Sequence, residues 1–342
     1  MHGIKRVPKD PNEVAAEREQ RERKKIAEYT ALQDDLLAKK AAKDYSEDAF
    51  DQTTQLLTAN PEFYTIWNYR RDILTEAVFP KSTPLNVFAV LQEDLQLTMA
   101  ALKVHPKVYW IWNHRRWCLA RIPLTPDDES RRDDELDWRR EVWNRELFVV
   151  EKMLDADARN FHAWNYRRYV LASLPPPPPN STAPARTPAT ELAYTQKKIE
   201  ANFSNFSAWH QRTKIYEVTR ELEDAAKLDE EFDLVNQAMY TLPSDQSAWL
   251  YHRWLIAQTN DPKVIQREIK IIQDLLQEEP DSKWCLESIV QYTLVLQKLE
   301  SSTSPAKPSV DVMPLLDQLV KIDPMRKGRY EDVRKKLVQA SA

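Results

Sequence analysis

The chain has 342 residues, with 49 Lys and Arg against 53 Asp and Glu, a net charge of −4, and 42% hydrophobic residues. The near-balance of charge argues against a nucleic-acid or membrane-surface protein held by gross charge, and the apolar content excludes global disorder. Gly3 and Gly328 are the two glycines, where average usage gives roughly 24. Glycine-rich dinucleotide or phosphate loops and glycine-dependent hairpins are therefore excluded.

In chain order, residues 1–45 are expected to form an N-terminal arm and a charged helix over 12–43. The opening MHGIKRVPKD is polar and has no signal-peptide core. Residues 46–338 are expected to form a single helical-repeat domain. Within it, 87–104 and 230–242 show apolar residues at spacings of three and four, as helices require. The segment 121–140 lengthens one connection, 175–188 is a proline-rich loop, and 301–309 is a polar break. No apolar run approaches the roughly 18 residues of a membrane span. Cys118 and Cys285 form no CxxC pair, which fits a reducing compartment. The expectation is a soluble, cytoplasmic protein that binds no nucleic acid.

Five tryptophans share one local context: NPEFYTIWNYRRDIL around Trp67, HPKVYWIWNHRRWCL around Trp112, DARNFHAWNYRRYVL around Trp164, NFSNFSAWHQRTKIY around Trp209 and LPSDQSAWLYHRWLI around Trp249. Their spacings are 45, 52, 45 and 40 residues, with a weaker copy at Trp284. A period of this length with two helical stretches predicts an all-α superhelix of about seven stacked hairpins. Each tryptophan falls near the start of a second helix. Pro61, Pro106 and Pro243 stand six residues before theirs, where proline ends one helix and opens the next. Three places after the tryptophan stand Arg70, Arg115, Arg167 and Arg212, with His252 and Arg253 in the fifth copy. A residue that every repeat shares serves what every repeat needs. These arginines are expected to stack on the indole or pair with a carboxylate of the adjoining hairpin.

The pattern of Trp, Asn or His, one residue, then Arg resembles the repeats of the protein prenyltransferase α subunits, over about residues 46–300. Within that family SDQSAWLYHRWLI, NFSNFSAWHQR, DARNFHAWNYRR and the opening MHG resemble the Rab geranylgeranyltransferase (type II) branch, in its short fungal-type form. The branch shared by farnesyltransferase and the type I enzyme is the alternative, and a non-catalytic helical scaffold is a second. The resemblance implies a crescent of hairpins wrapped around a β subunit that holds the catalytic zinc and the lipid pocket. It implies transfer of geranylgeranyl from geranylgeranyl diphosphate to C-terminal cysteines of Rab GTPases, presented by a Rab escort protein.

Residues that differ between repeats are the candidates for function. At the starts of second helices stand Lys107 and Arg159, five places before their tryptophans, then Tyr109 and His162. Helix N-termini with added cations and a hydroxyl suit a diphosphate. The resemblance places Lys107, Tyr109 and His162 at the lipid diphosphate and the active-site mouth. Arg159 stands where a relative has lysine and is read as substrate-binding. The plainer reading is a solvated Lys107 and a packing Tyr109. The resemblance also makes His2 a possible regulatory ligand to the β-subunit zinc. No metal is expected on this chain alone.

Overall fold

The computed structural model describes residues 15–123, 137–177, 186–301 and 310–341. His2, the DDES and RRDDEL stretches and most of the proline-rich loop lie outside the described residues. The elements are α1 (Ala15–Ala41), α2 (Glu47–Ala59), α3 (Tyr64–Ile73), α4 (Pro84–Val104), α5 (Tyr109–Ala120), α6 (Asp137–Ala156), α7 (Phe161–Ser173), α8 (Pro188–Ala201), α9 (Phe206–Thr219), α10 (Ala225–Thr241), α11 (Gln246–Ile256), α12 (Pro262–Glu278), α13 (Lys283–Ser301), α14 (Met313–Ile322) and α15 (Lys327–Ser341). Among the described residues there is no strand. From α2 onward the helices make seven consecutive pairs, as the repeat spacing predicts.

Packing divides the chain into two compact units. The first is Met1–Lys152 with Asn160–Ser181, and the second is Met153–Arg159 with Thr182–Ala342. In the first, α1 packs on α2, α2 on α3 and α4 on α5, and the second helices α3, α5 and α7 lie side by side. In the second, α8 packs on α9, α10 on α11, α12 on α13 and α14 on α15, with α9, α11 and α13 adjacent in turn.

The sequence punctuates these helices chemically. Ser46 caps α2, Thr83 caps α4 ahead of Pro84, Thr187 caps α8 ahead of Pro188, and Asp261 caps α12 ahead of Pro262. Each side-chain oxygen satisfies a backbone N–H that has no partner inside the helix.

The repeat tryptophans are core. Trp67, Trp112, Trp164, Trp209 and Trp249 are all buried. Four indole N–H groups donate to the carbonyl six residues back: Trp67 to Pro61 at 2.9 Å, Trp112 to Pro106 at 3.0 Å, Trp209 to Phe203 at 2.8 Å and Trp249 to Pro243 at 2.8 Å. The indole thus closes the turn that opens its own helix. Its face packs on a ring of the next repeat: Trp67 on His114 at 4.6 Å, Trp112 on Tyr166 at 5.0 Å and Trp209 on Tyr251 at 4.7 Å between centroids. Truncating such an indole to Ala costs about 3–5 kcal/mol.

The arginine column pairs with carboxylates. Arg70 donates to Asp94 at 2.6 Å and Arg115 to Glu146 at 2.6 Å, and Arg212 pairs with Glu231. In each case the acid lies on the first helix of the following hairpin. That hairpin's own second helix supplies one more donor to the same acid: His114 Nε2 at 2.8 Å, Tyr166 at 2.7 Å and Tyr251 at 2.7 Å, respectively. In the fifth copy His252, not Arg253, takes the inner position, 3.2 Å from Glu268. Arg167 donates to Glu151 of α6 at 3.1 Å. Glu151 is partly exposed, but the charges of the Arg70–Asp94, Arg115–Glu146 and Arg212–Glu231 pairs are buried, and each is neutralised and hydrogen-bonded, the condition under which burial is tolerated.

Candidate functional site

Lys107, Tyr109 and His162 come together in the first unit. Helix α4 ends at Val104, a two-residue turn carries Pro106 and Lys107, and α5 starts at Tyr109. The Pro106 carbonyl accepts from Trp112 Nε1 at 3.0 Å and from Asn160 Nδ2 at 3.1 Å. Two buried donors therefore fix the turn that carries Lys107. Val108 precedes α5 and makes no side-chain cap, so the first N–H groups of α5 lack a side-chain acceptor there. Asn160, Asn205 and Asp245 do cap α7, α9 and α11.

Lys107 is exposed and Tyr109 is 58% exposed. His162 is not: it is 6% exposed, beneath Phe161 at 4.0 Å and edge-on to Tyr109 at 4.3 Å between ring centroids. At this rim His162 is thus enclosed while Lys107 and Tyr109 are open. Burial lowers the imidazole's pKa; the Lys107 backbone hydrogen bond opposes this and the Lys107 charge reinforces it. His162 is therefore a neutral brace for the Lys107 turn and the Tyr109 ring. Tyr64 and Trp110 continue the rim, 5.1 Å apart.

Arg159 belongs to the second unit and is exposed. Its charge acts on Asp245, whose carboxyl is held below its usual range. Burial pushes that carboxyl up, but hydrogen bonds from Ser204 and Ser247, with Arg159, outweigh it.

One group among the described residues has metal-ligand composition: Asp94, His114 and Cys118, with ligand atoms within 4.8 Å. Its donors are already committed. His114 Nε2 bonds Asp94 at 2.8 Å, its Nδ1 accepts from Arg71 at 3.2 Å, and Asp94 also holds Arg70. Burial pushes the Cys118 thiol well up. The group is a link in the arginine ladder and does not fit a zinc.

Asn160 was missed in the sequence. It stands four residues before its tryptophan, the register that also holds Asn205 and Asp245. Phe63 and Val108 at the same register mark the helices without a polar cap.

The geometry defines a helical-hairpin repeat protein whose repeats are joined by a Trp–Arg lock. Residues 37–77, 91–122, 143–174, 188–218 and 228–259 match the protein prenyltransferase alpha subunit repeat. The chain belongs to the family of geranylgeranyl transferase type-2 alpha subunits. It is 40% identical to that subunit of Schizosaccharomyces pombe, over 98% of each chain. It is 35% identical to that of Dictyostelium discoideum, over 98% of this chain and 100% of the relative. Against that of Homo sapiens it is 35% identical over 80% of this chain and 45% of the relative. The fold is similar to a solved Candida albicans protein geranylgeranyltransferase-I complexed with GGPP, with a TM-score of 0.66 at 24% identity, covering 91% of each chain.

Proposed function

We propose that the chain is the alpha subunit of a heterodimeric enzyme that transfers geranylgeranyl from geranylgeranyl diphosphate to C-terminal cysteines of Rab GTPases presented by a Rab escort protein, in the cytoplasm. The near-full-length identity to type-2 alpha subunits supports this reading. The resemblance puts the catalytic zinc in the β subunit; here the acid, imidazole and thiol of the described candidate group are engaged within the fold. No described helix is long and apolar enough to cross a membrane.

The observation that carries the role of this chain is Lys107 and Tyr109, exposed on a turn pinned by Trp112 and Asn160. As an allylic C–O bond breaks, negative charge grows on the leaving diphosphate. A fixed ammonium, a phenol and open helix N–H groups aimed at that charge lower the barrier. His162, enclosed and neutral, positions these groups. Arg159, in the second unit, is read by itself as a substrate-binding cation.

Lys107→Ala in the purified heterodimer is expected to lower kcat by about 10²-fold or more. Gel filtration of the same variant should show unchanged assembly. Wild-type turnover would reduce Lys107 to a solvated surface residue. Geranylgeranylation of Rab that requires the escort protein, with no transfer to a free CaaX peptide, separates the type-2 assignment from the shared α subunit.

A further inference from the structure

A second set of arginines lies on the outward-facing side of the second helices. One place after each of the first three repeat tryptophans stand Asn68, Asn113 and Asn165, and four places after stand Arg71, Arg116 and Arg168. Residues three apart share a helix face. Since α3, α5 and α7 lie side by side, these Asn–Arg pairs form a strip across the first unit. The asparagines are exposed and the arginines half-buried. Arg71 reaches its own asparagine at 3.4 Å and Arg168 at 3.5 Å.

Unlike the inner column, the strip has no carboxylate lock at Arg71 or Arg116. Among the described residues neither has an acidic oxygen within 4.0 Å. Arg71 Nη2 and Arg116 Nε are shielded from solvent without a hydrogen-bond partner. Asp72, whose charge reaches Arg71, is 3.7 Å from Lys40. Arg121 adds a further cation, stacked over Trp117 at 4.1 Å, with Arg71 over the same ring at 5.8 Å. Burial lowers the pKa of Arg71; Cys118 opposes this, Arg121 lowers it further and Asp72 opposes it more weakly. Arg168 is lowered likewise by burial and then by Arg116. At Arg71 and Arg116 positive charge is thus partly dehydrated with no described acid within 4.0 Å, which is unfavourable until one arrives.

We propose that Arg71 and Arg116 are an electrostatic latch for the second subunit, whose surface carboxylates enter the strip and accept the guanidinium donors left open there. The inference rests on the functional reading above, which requires that subunit. Planar guanidinium forks backed by aromatic rings suit bidentate carboxylates. A chain with net charge −4 offers no long-range attraction to a polyanion instead.

The test uses the full chain co-purified with a prenyltransferase β subunit. The dissociation constant is measured from about 50 to 500 mM salt for wild type, R71Q/R116Q, R71K/R116K and R220Q. Arg220 lies off the strip, 3.8 Å from Glu223. R71Q/R116Q is expected to bind roughly tenfold more weakly, or worse, at low salt, with a flatter salt dependence. R71K/R116K should keep the salt slope and dissociate faster, and R220Q should match wild type. A wild-type affinity and slope in R71Q/R116Q overturns the latch and leaves the functional reading intact. Should that variant misfold, a salt-independent wild-type affinity overturns it equally. A strip that instead holds a second copy of this chain, seen as a homodimer lost in R71Q/R116Q, also overturns it. Wild type that assembles with no β subunit overturns the functional reading and the latch together.

Discussion

Glu146 accepts from three directions: Arg115 Nε at 2.8 Å, Arg115 Nη2 at 2.6 Å and the Tyr166 hydroxyl at 2.7 Å. Glu146→Gln removes the charge and leaves Arg115 buried without its counter-ion. The expected loss is about 3–5 kcal/mol, read from chemical denaturation of the heterodimer. Arg115→Met with Glu146→Leu should recover most of it, because no unpaired charge then remains. A single change costing under about 1 kcal/mol would mean that the pair is screened by water. Buried imidazoles with lowered pKa values respond to pH in the same sense as paired carboxylates, over a higher pH window. His114, His162 and His252 all have pKa values lowered below 6.5, first of all by burial. The unfolded chain takes up these protons at the ordinary value and the folded chain only at lower pH. Their contribution is therefore intact above pH 6.5 and drains as pH falls from there toward the folded values. Calorimetry from about pH 5 to 8 should show Tm falling on the acid side, and His162→Gln should shrink that fall. A Tm flat down to the carboxylate range would contradict neutral buried histidines.

At the scale of elements, the first five hairpins were legible because each carries a turn and a tryptophan, and four of them an arginine three places on. The helix expected over 87–104 is Pro84–Val104, and that expected over 230–242 is Ala225–Thr241. The starts were missed because Thr83 with Pro84, and Asp224, open these helices before the apolar stripe begins. The acid partners of the arginines also went unread, although a signal existed. Asp94, Glu146 and Glu231, which pair with Arg70, Arg115 and Arg212, precede Trp112, Trp164 and Trp249 by 18 residues each. They sit across a turn on another helix, so the face of the tryptophan helix gives no hint of them. The first repeat has Ala49 at that register, and no earlier repeat supplies it with an arginine. The enclosure of His162 went unread because it comes from the aromatic pair Tyr109 and Phe161, which its own register does not reveal. Asn160 joins two elements at once, capping α7 and holding the turn before α5. Asn160→Ala should cost about 1 kcal/mol of stability through the cap and lower kcat by a larger factor, through a loosened Lys107. Steady-state kinetics set beside thermal melts of the same variant separate the two effects; equal turnover would detach the turn from catalysis.

For the whole molecule, two glycines in 342 residues already pointed to helices, and stacking of near-identical pairs explains how so long a chain builds its core from neighbour contacts. The units keep large apolar groups at their surfaces: Tyr64, Tyr109 and Phe161 in the first and Phe206 in the second are each more than half exposed. Residues of that kind, at the starts of successive second helices, suit a subunit that works with a partner. The buried thiols have a consequence of a different kind. Cys118 and Cys285 are the two cysteines of the chain; both are buried, with burial raising the first thiol well above its usual range and the second to about 11. A lipid transferase whose acceptor is a sulfur atom works beside an activated isoprenoid throughout its cycle. With both of its own thiols protonated and buried, this subunit offers no competing thiolate and escapes becoming its own product.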